Sequence, residues 1–301
     1  MTLRRRAYNT LLDTVRRARI APQNFSDWRV LRELAGWSLV GARLVSCFER
    51  LDEPSSAGSA GIHAIEQERQ RMLKDPRPLV DGSEGKPGLY DEGQTIAAAA
   101  NVSKSPRSAL LLYHLVREFK PQLVVELGTN VGISAAYQAM ALSKNRNGGR
   151  LVTFDASPYR LRHARALHAS LSLANLSYIQ GLFADTLPSA LAELGHVELA
   201  YIDGHHQYQP TLDYFEALCQ HSRDGAIFVF DDIRWSSGML NAWTELRTDP
   251  RLGLTVDLGS MGIGFRTERH SRTPLPAVYS VLHPGDPSAR ARFEQRSLRV
   301  G

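Results

Sequence analysis

The 301-residue chain is 43% hydrophobic and 22% charged, which suits a globular protein with a sizeable core and excludes a disordered or fibrous one. Its net charge of +5 is no spread-out basic surface: residues 1–20 carry six arginines (Arg4, Arg5, Arg6, Arg16, Arg17, Arg19) against Asp13, so the remainder is near neutral. No apolar run reaches membrane-spanning length, since the stretch from Ala35 to Phe48 is too short and Arg43 interrupts it.

The basic terminus reads as a solvated helix face, with an anionic membrane surface, RNA or an acidic partner as the alternatives. Cys47 and Cys219 form neither a metal pattern nor a disulfide framework, and no secretory apolar segment with a cleavage site follows the basic start. A cytoplasmic location is expected.

Residues 3–52 have apolar positions at helical spacing, including Leu11, Leu12, Val15, Leu31, Leu34, Ala35 and Leu39. A Pro/Gly/Ser-rich break from Asp52 to Gly61 precedes a further helical piece over Ile62 to Leu73, and residues 75–105 read as a long loop or lid. Residues 1–104 are therefore taken as a helical N-terminal extension. Ser105-Pro106 starts a helix with Ser as N-cap and Pro at the first position; Pro121 stops it. Strands and helices then alternate. The strands are Leu123–Leu127, Arg150–Asp155, Ser177–Gln180, Glu198–Asp203 and Ala226–Asp231, and the helical patterns are Ile133–Leu142, Tyr159–Ser170, Leu187–Glu193 and Pro210–Gln220. Such alternation builds βαβ units and a parallel sheet covered on both faces. A helix near Met239–Arg247 leads to two runs, Thr255–Leu258 and Ile263–Arg266, that read as a closing hairpin. The fold expected is an α/β, Rossmann-like doubly wound sheet over residues 105–267, with residues 268–301 as an irregular tail.

The stretch Leu123-Val124-Val125-Glu126-Leu127-Gly128-Thr129-Asn130-Val131-Gly132 is a buried strand that ends in an acid and a glycine turn and runs straight into a helix. A dinucleotide turn would read G-x-G-x-x-G and receive a pyrophosphate; E-x-G-x-x-x-G places an acid where a pyrophosphate would be repelled, so a cationic ligand fits better. The stretch resembles motif I of the class I S-adenosylmethionine (SAM) methyltransferases, with Asn130 at their usual middle glycine, which the tolerance of Asn for left-handed geometry accommodates. The resemblance implies SAM bound by Glu126, Gly128, Thr129, Asn130 and Gly132, with Ser103 or Ser134 near its carboxylate.

Asp155 ends the second strand, 23 residues beyond Gly132, where a bound nucleoside finds the acceptor for its ribose hydroxyls. The bland alternative is a cap for the next helix, although Ser157-Pro158 supplies a better one. Phe183 follows the third strand and is a candidate adenine contact or a core residue. The fourth strand ends in Asp203-Gly204-His205-His206-Gln207-Tyr208 and the fifth in Asp231-Asp232. If these strands are neighbours, about 4.8 Å apart, three carboxylates share one cleft and need a cation or a proton among them. An all-oxygen set suits Mg²⁺, Mn²⁺ or Ca²⁺; the alternatives are a helix cap or metal-free contacts. A histidine beside these acids can act as a general base at neutral pH, and His205 and His206 are rivals for it.

This second region is similar to small-molecule O-methyltransferases with a D-G-x-H-x-Y turn, including metal-dependent macrolide-sugar enzymes. That resemblance implies metal ligands Asp203, Asp231 and Asp232, base His206, and an Asp203 that also borders SAM. Those relatives often carry Glu-Asp where this chain has Asp231-Asp232. The function expected is SAM-dependent O-methylation of a small-molecule hydroxyl, with homo-oligomerisation left open. The alternatives are a metal-free N- or O-methyltransferase, an RNA-modifying protein docked by its arginine-rich start, and a silent scaffold on the same fold.

Overall fold

In the strand Leu123–Leu127 (β1) every residue is buried, because both faces of the sheet around it are covered. A computed structural model describes residues 25–53, 59–267, 274–284, 286 and 288–298. The arginine-rich start lies outside the described residues, as does part of the C-terminal tail.

Among the described residues, the helices α1 (Phe25–Trp37), α2 (Leu39–Arg50) and α3 (Ala60–Met72) precede a loop-rich stretch containing the short α4 (Ile96–Asn101). The helix α5 (Pro106–Phe119) begins as its sequence dictates: Ser105 Oγ accepts from Ser108 N, Pro106 occupies the first turn, and Lys120 closes the helix in left-handed geometry before Pro121. After β1 come α6 (Ile133–Asn145), β2 (Arg150–Asp155), α7 (Pro158–Ser170), β3 (Leu176–Gln180), α8 (Phe183–Leu194) and β4 (Val197–Ile202). The chain continues through α9 (Tyr208–Gln220), β5 (Ser222–Asp231), α10 (Ser237–Leu246), β6 (Leu252–Asp257) and β7 (Met261–Arg266), and ends in α11 (Ser288–Leu298). The last helix lies in the segment expected to be irregular. Its prolines precede it rather than interrupt it, so nothing breaks the run Ser288–Leu298.

The sheet has seven strands in the order β3-β2-β1-β4-β5-β7-β6; the first five are parallel, and β7 pairs antiparallel with both β5 and β6. Side chains alternate between its faces. Val124, Leu199, Tyr201, Ile227 and Val229 point to the face covered by α5, α6 and α7; Val125, Leu127, Phe154, Ala200, Phe228 and Phe230 point to the face covered by α8, α9 and α10. Each fully buried Leu, Val or Phe contributes roughly 1.5–3 kcal/mol, so two such layers specify the register firmly.

The extension shares the first of these cores: Leu31, Leu34, Leu44, Cys47, Phe48, Ile62 and Ile65 pack in the same cluster as α5 and α6. Arg43 and Arg50 both pair with Glu118 of α5, at 3.1 and 2.9 Å. Among the described residues no helix is long and apolar enough to cross a membrane.

Candidate active site

The register of β4 and β5 builds the site. Tyr201 lies opposite Val229 and Ile202 opposite Phe230, so the next residues, Asp203 and Asp231, sit side by side at the carboxyl ends of their strands. With a period of two, Tyr201, Asp203 and Asp231 all project to the face from which the N-terminal extension arrives. The Tyr201 hydroxyl lies between the two carboxyls, 2.9 Å from Asp203 Oδ2 and 2.5 Å from Asp231 Oδ2. Lys104, from the end of the extension, places its Nζ 2.5 Å from Asp231 Oδ2 and 3.2 Å from Asp232 Oδ1. Asp231 also accepts the Asp232 backbone N–H at 2.8 Å and has no exposed surface.

Three residues of the site occupy left-handed backbone geometry: His205 (φ 67°), His206 (φ 38°) and Asp232 (φ 49°). Non-glycine residues in that region are strained and concentrate at functional sites. The consecutive left-handed residues send the two histidines apart. His205 hydrogen-bonds through Nδ1 to the Tyr214 hydroxyl of α9 at 2.8 Å. His206 aims Nε2 at Asp203 Oδ1 (3.7 Å) and Asp232 Oδ2 (3.9 Å), while its Nδ1 is buried without a hydrogen-bond partner. One ligand atom each from Asp203, His206 and Asp232 lies within 4.8 Å of the others. Asp231, whose oxygens serve Tyr201, Lys104 and the Asp232 backbone, is not in that trio.

Burial raises the Asp203 carboxyl above the usual carboxylate range, with Lys104 pulling the other way. Burial, reinforced by Asp203, pushes Asp231 up to about 6. Burial alone would lower the Lys104 ammonium, but the carboxylates of Asp231, Asp203 and Asp232 outweigh it and hold the lysine firmly charged. Burial lowers His206, against the pull of Asp232 and Asp231, so the imidazole is neutral at pH 7. Three carboxylates facing one ammonium leave two negative charges when all are ionised, a balance that a hard divalent cation on Asp203 and Asp232 would close.

The glycine turn after β1 is organised from beneath. Glu126 is fully buried, accepts from Thr153 Oγ1 at 2.6 Å and from Gln138 Nε2 at 2.8 Å, and is pushed up to about 8 by burial. Thr129, 1% exposed, is hydrogen-bonded to Thr153 Oγ1 at 2.6 Å, and Ser134 is buried against Glu126. Gly128 (φ 107°) is a glycine because a Cβ there would lie 2.0 Å from Asp203 O; at Gly132 (φ 88°) a Cβ would meet Ala164 and His168. These glycines thus let protein elements approach one another. Asn130 is left-handed (φ 49°), as the resemblance implied, but its side chain donates to Ala99 O and Ser103 Oγ and accepts from Arg160. It therefore staples the extension to the turn.

Asp155 remains partly open. Its two oxygens accept from Asn130 N (2.8 Å) and Ser157 N (2.9 Å), while Ser157 Oγ caps α7. Phe183, half-buried at the start of α8, stands edge-on to Tyr214 and fills the space beside Gly204. Tyr201 and Lys104 were missed from sequence. Tyr201 was within reach, since it lies two residues before Asp203 on the same strand face. Nothing local links Lys104 to Asp231, which is far along the chain.

Comparisons with known proteins bear on the fold and on the family of the sheet region. Residues 125–233 match a family model described as a methyltransferase domain. A catechol O-methyltransferase of Niastella koreensis is 31% identical over 137 residues, covering 44% of this chain and 58% of that protein. An uncharacterised protein of Acanthamoeba polyphaga mimivirus is 33% identical over 82 residues, covering 26% of this chain and 34% of that one. The chain thus spans little more than half, and about a third, of those relatives' own lengths. Among solved structures, a Klebsiella pneumoniae protein described as a candidate O-methyltransferase superposes with a TM-score of 0.52 at 17% identity, over 78% of this chain and 99% of that one, a likeness of fold.

Proposed function

We propose that this chain, similar to class I SAM-dependent O-methyltransferases, moves a methyl group from SAM to a hydroxyl of a small molecule, with His206 as the proton acceptor. The observation that carries the reading is the convergence of Asp203, His206 and Asp232 on one point beyond β4 and β5. In an open α/β sheet that is where ligands bind.

SAM supplies a methyl already activated on a sulfonium, so the protein has to orient donor and acceptor and accept one proton. Asp155 would take the ribose hydroxyls, since each of its oxygens accepts one backbone N–H and keeps a second lone pair. Phe183 would lie against the adenine, with Gly128 and Asp203 bordering the cofactor and Glu126, Thr129, Asn130, Gly132 and Ser134 holding the turn. His206, neutral through burial, would take the acceptor's proton on Nε2, and the imidazolium formed would be stabilised by Asp203 and Asp232.

A divalent ion such as Mg²⁺ on Asp203 and Asp232 would lower the pKa of an acceptor hydroxyl. A nitrogen that ligates an ion cannot also take a proton, so the base role leaves that ion to the two carboxylates. The name of the Niastella koreensis relative supports a small hydroxylated acceptor. Two unpaired, buried cysteines support work in a reducing cytoplasm.

Calorimetric titration of SAM into the purified chain is the test. Binding near 1 μM, about −8 kcal/mol, followed by transfer of labelled methyl to a hydroxylated acceptor, is the expected result. Absence of SAM binding with and without Mg²⁺ would remove the reading. Asp155→Ala should weaken SAM binding by about 10–100-fold through loss of charge-assisted hydrogen bonds. The pH profile gives a further check. A base works unprotonated, so activity should fall as pH drops through the His206 pKa; because burial lowers that pKa, the acid limb should lie below about 6.5. An acid limb well above that value would point to a different base.

A further inference from the structure

Among the described residues of the extension, Lys104 is the side chain that enters the acid cluster, and its placement is built in. Its carbonyl accepts from Arg69 Nη1 at 2.6 Å, and its neighbour Ser103 is tied to Asn130. Its Nζ and the Tyr201 hydroxyl converge on the same oxygen of Asp231, while the Asp232 N–H takes the other oxygen. Asp231 Oδ2 is therefore fully used, and Oδ1 is held by the neighbouring backbone. Asp232 is divided: Oδ1 faces the ammonium at 3.2 Å, while Oδ2 faces His206 Nε2 at 3.9 Å.

We propose that Lys104 is a tethered resident cation of this cluster, competing with a divalent ion for Asp232 and setting how tightly the cleft binds metal. The inference rests on the methyltransferase reading only for what a metal would do there. The competition follows from charge and distance. An ammonium against the shared carboxylate repels an incoming cation and removes part of the negative charge that would attract it. Without Lys104 the three carboxylates face one another with no positive partner. The site would then become a stronger divalent-cation site, and part of its restraint on the extension would be lost.

The test is direct binding of Mn²⁺ to the full chain, followed by calorimetry or by loss of the free-ion resonance signal. Lys104→Met should bind Mn²⁺ at least about tenfold more tightly than the unaltered chain. Lys104→Arg, which keeps the charge, should stay within about threefold. Thermal unfolding confirms that both variants are folded. Lys104→Met affinity equal to or weaker than that of the unaltered chain overturns the proposal. If the unaltered chain binds Mn²⁺ and Lys104→Met binds no more tightly, the metal reading stands and only the lysine's role falls. If neither binds at millimolar Mn²⁺, both fall. SAM titration of the same samples reports on the methyltransferase reading independently.

Discussion

Replacing His206 by alanine is expected to lower the turnover of methyl transfer by about 10²–10⁴-fold, the range supplied by a positioned general base, while leaving SAM affinity unchanged. The expectation comes from where the two histidines point. His206 Nε2 faces the Asp203 and Asp232 carboxylates, and its pKa is lowered by burial, so it is a neutral acceptor at the mouth of the sheet. His205, one residue earlier, spends Nδ1 on the Tyr214 hydroxyl, on the side of α9. His205→Ala should therefore keep most of the turnover. Steady-state kinetics on both variants, with SAM binding measured separately, decide the matter. Full activity in His206→Ala together with loss in His205→Ala would reverse the assignment.

The second large effect is structural and acts at a distance from the reacting groups. Asp257, at the end of β6, has no exposed surface. It accepts from the two terminal nitrogens of the Arg234 guanidinium, Nη1 and Nη2, at 2.6 and 2.7 Å, from the Trp243 indole N–H at 2.9 Å and from the Gly259 backbone N–H at 2.8 Å. Arg247 lies at 3.7 Å. Asp257→Ala would leave the buried Arg234 cation and an indole donor without this acceptor, which costs about 3–5 kcal/mol. Melting temperature should fall by roughly 10 °C in a chain of this size. Urea unfolding gives the free energy directly, and Asp257→Asn, which keeps an acceptor, should lose less. Because Arg234 lies two residues after Asp232, the variant should also lower turnover at temperatures where it remains folded. A loss under about 1 kcal/mol, the range of an exposed pair, would show that the network is not what holds this turn.

The fold was legible because its signals are local. A β-branched run such as Leu123–Leu127 between Pro121 and Gly128 reads as one buried strand, and Ser105-Pro106 reads as a helix start whatever packs on it. The antiparallel ending was legible for the same reason, although the hairpin's second strand, β7, sits inward against β5 with β6 at the edge. The irregular tail was misjudged at Ser288–Leu298, where proline content was weighed over a run free of proline.

Within the site the division is sharper. That Asp203, His206, Asp231 and Asp232 stand at strand ends follows from the alternation of apolar runs and polar stops, so sequence alone determined which acids and histidines gather at the mouth of the sheet. Their individual partners do not follow. Asp231 and Asp232 are adjacent and chemically identical, yet one is enclosed by Tyr201 and Lys104 while the other turns through left-handed geometry toward Asp203 and His206. His205 and His206 are likewise separated by backbone dihedrals that their side chains do not encode. Gly128 and Gly132, which the resemblance implies as SAM contacts, also admit Asp203 and α7 at close range, a packing role that only the fold reveals. Periodicity and turn chemistry act over a few residues and are written in the chain. Charge pairing across the sheet joins residues more than a hundred apart, as Lys104 and Asp232 are, and only the packed fold brings them to within 3.2 Å.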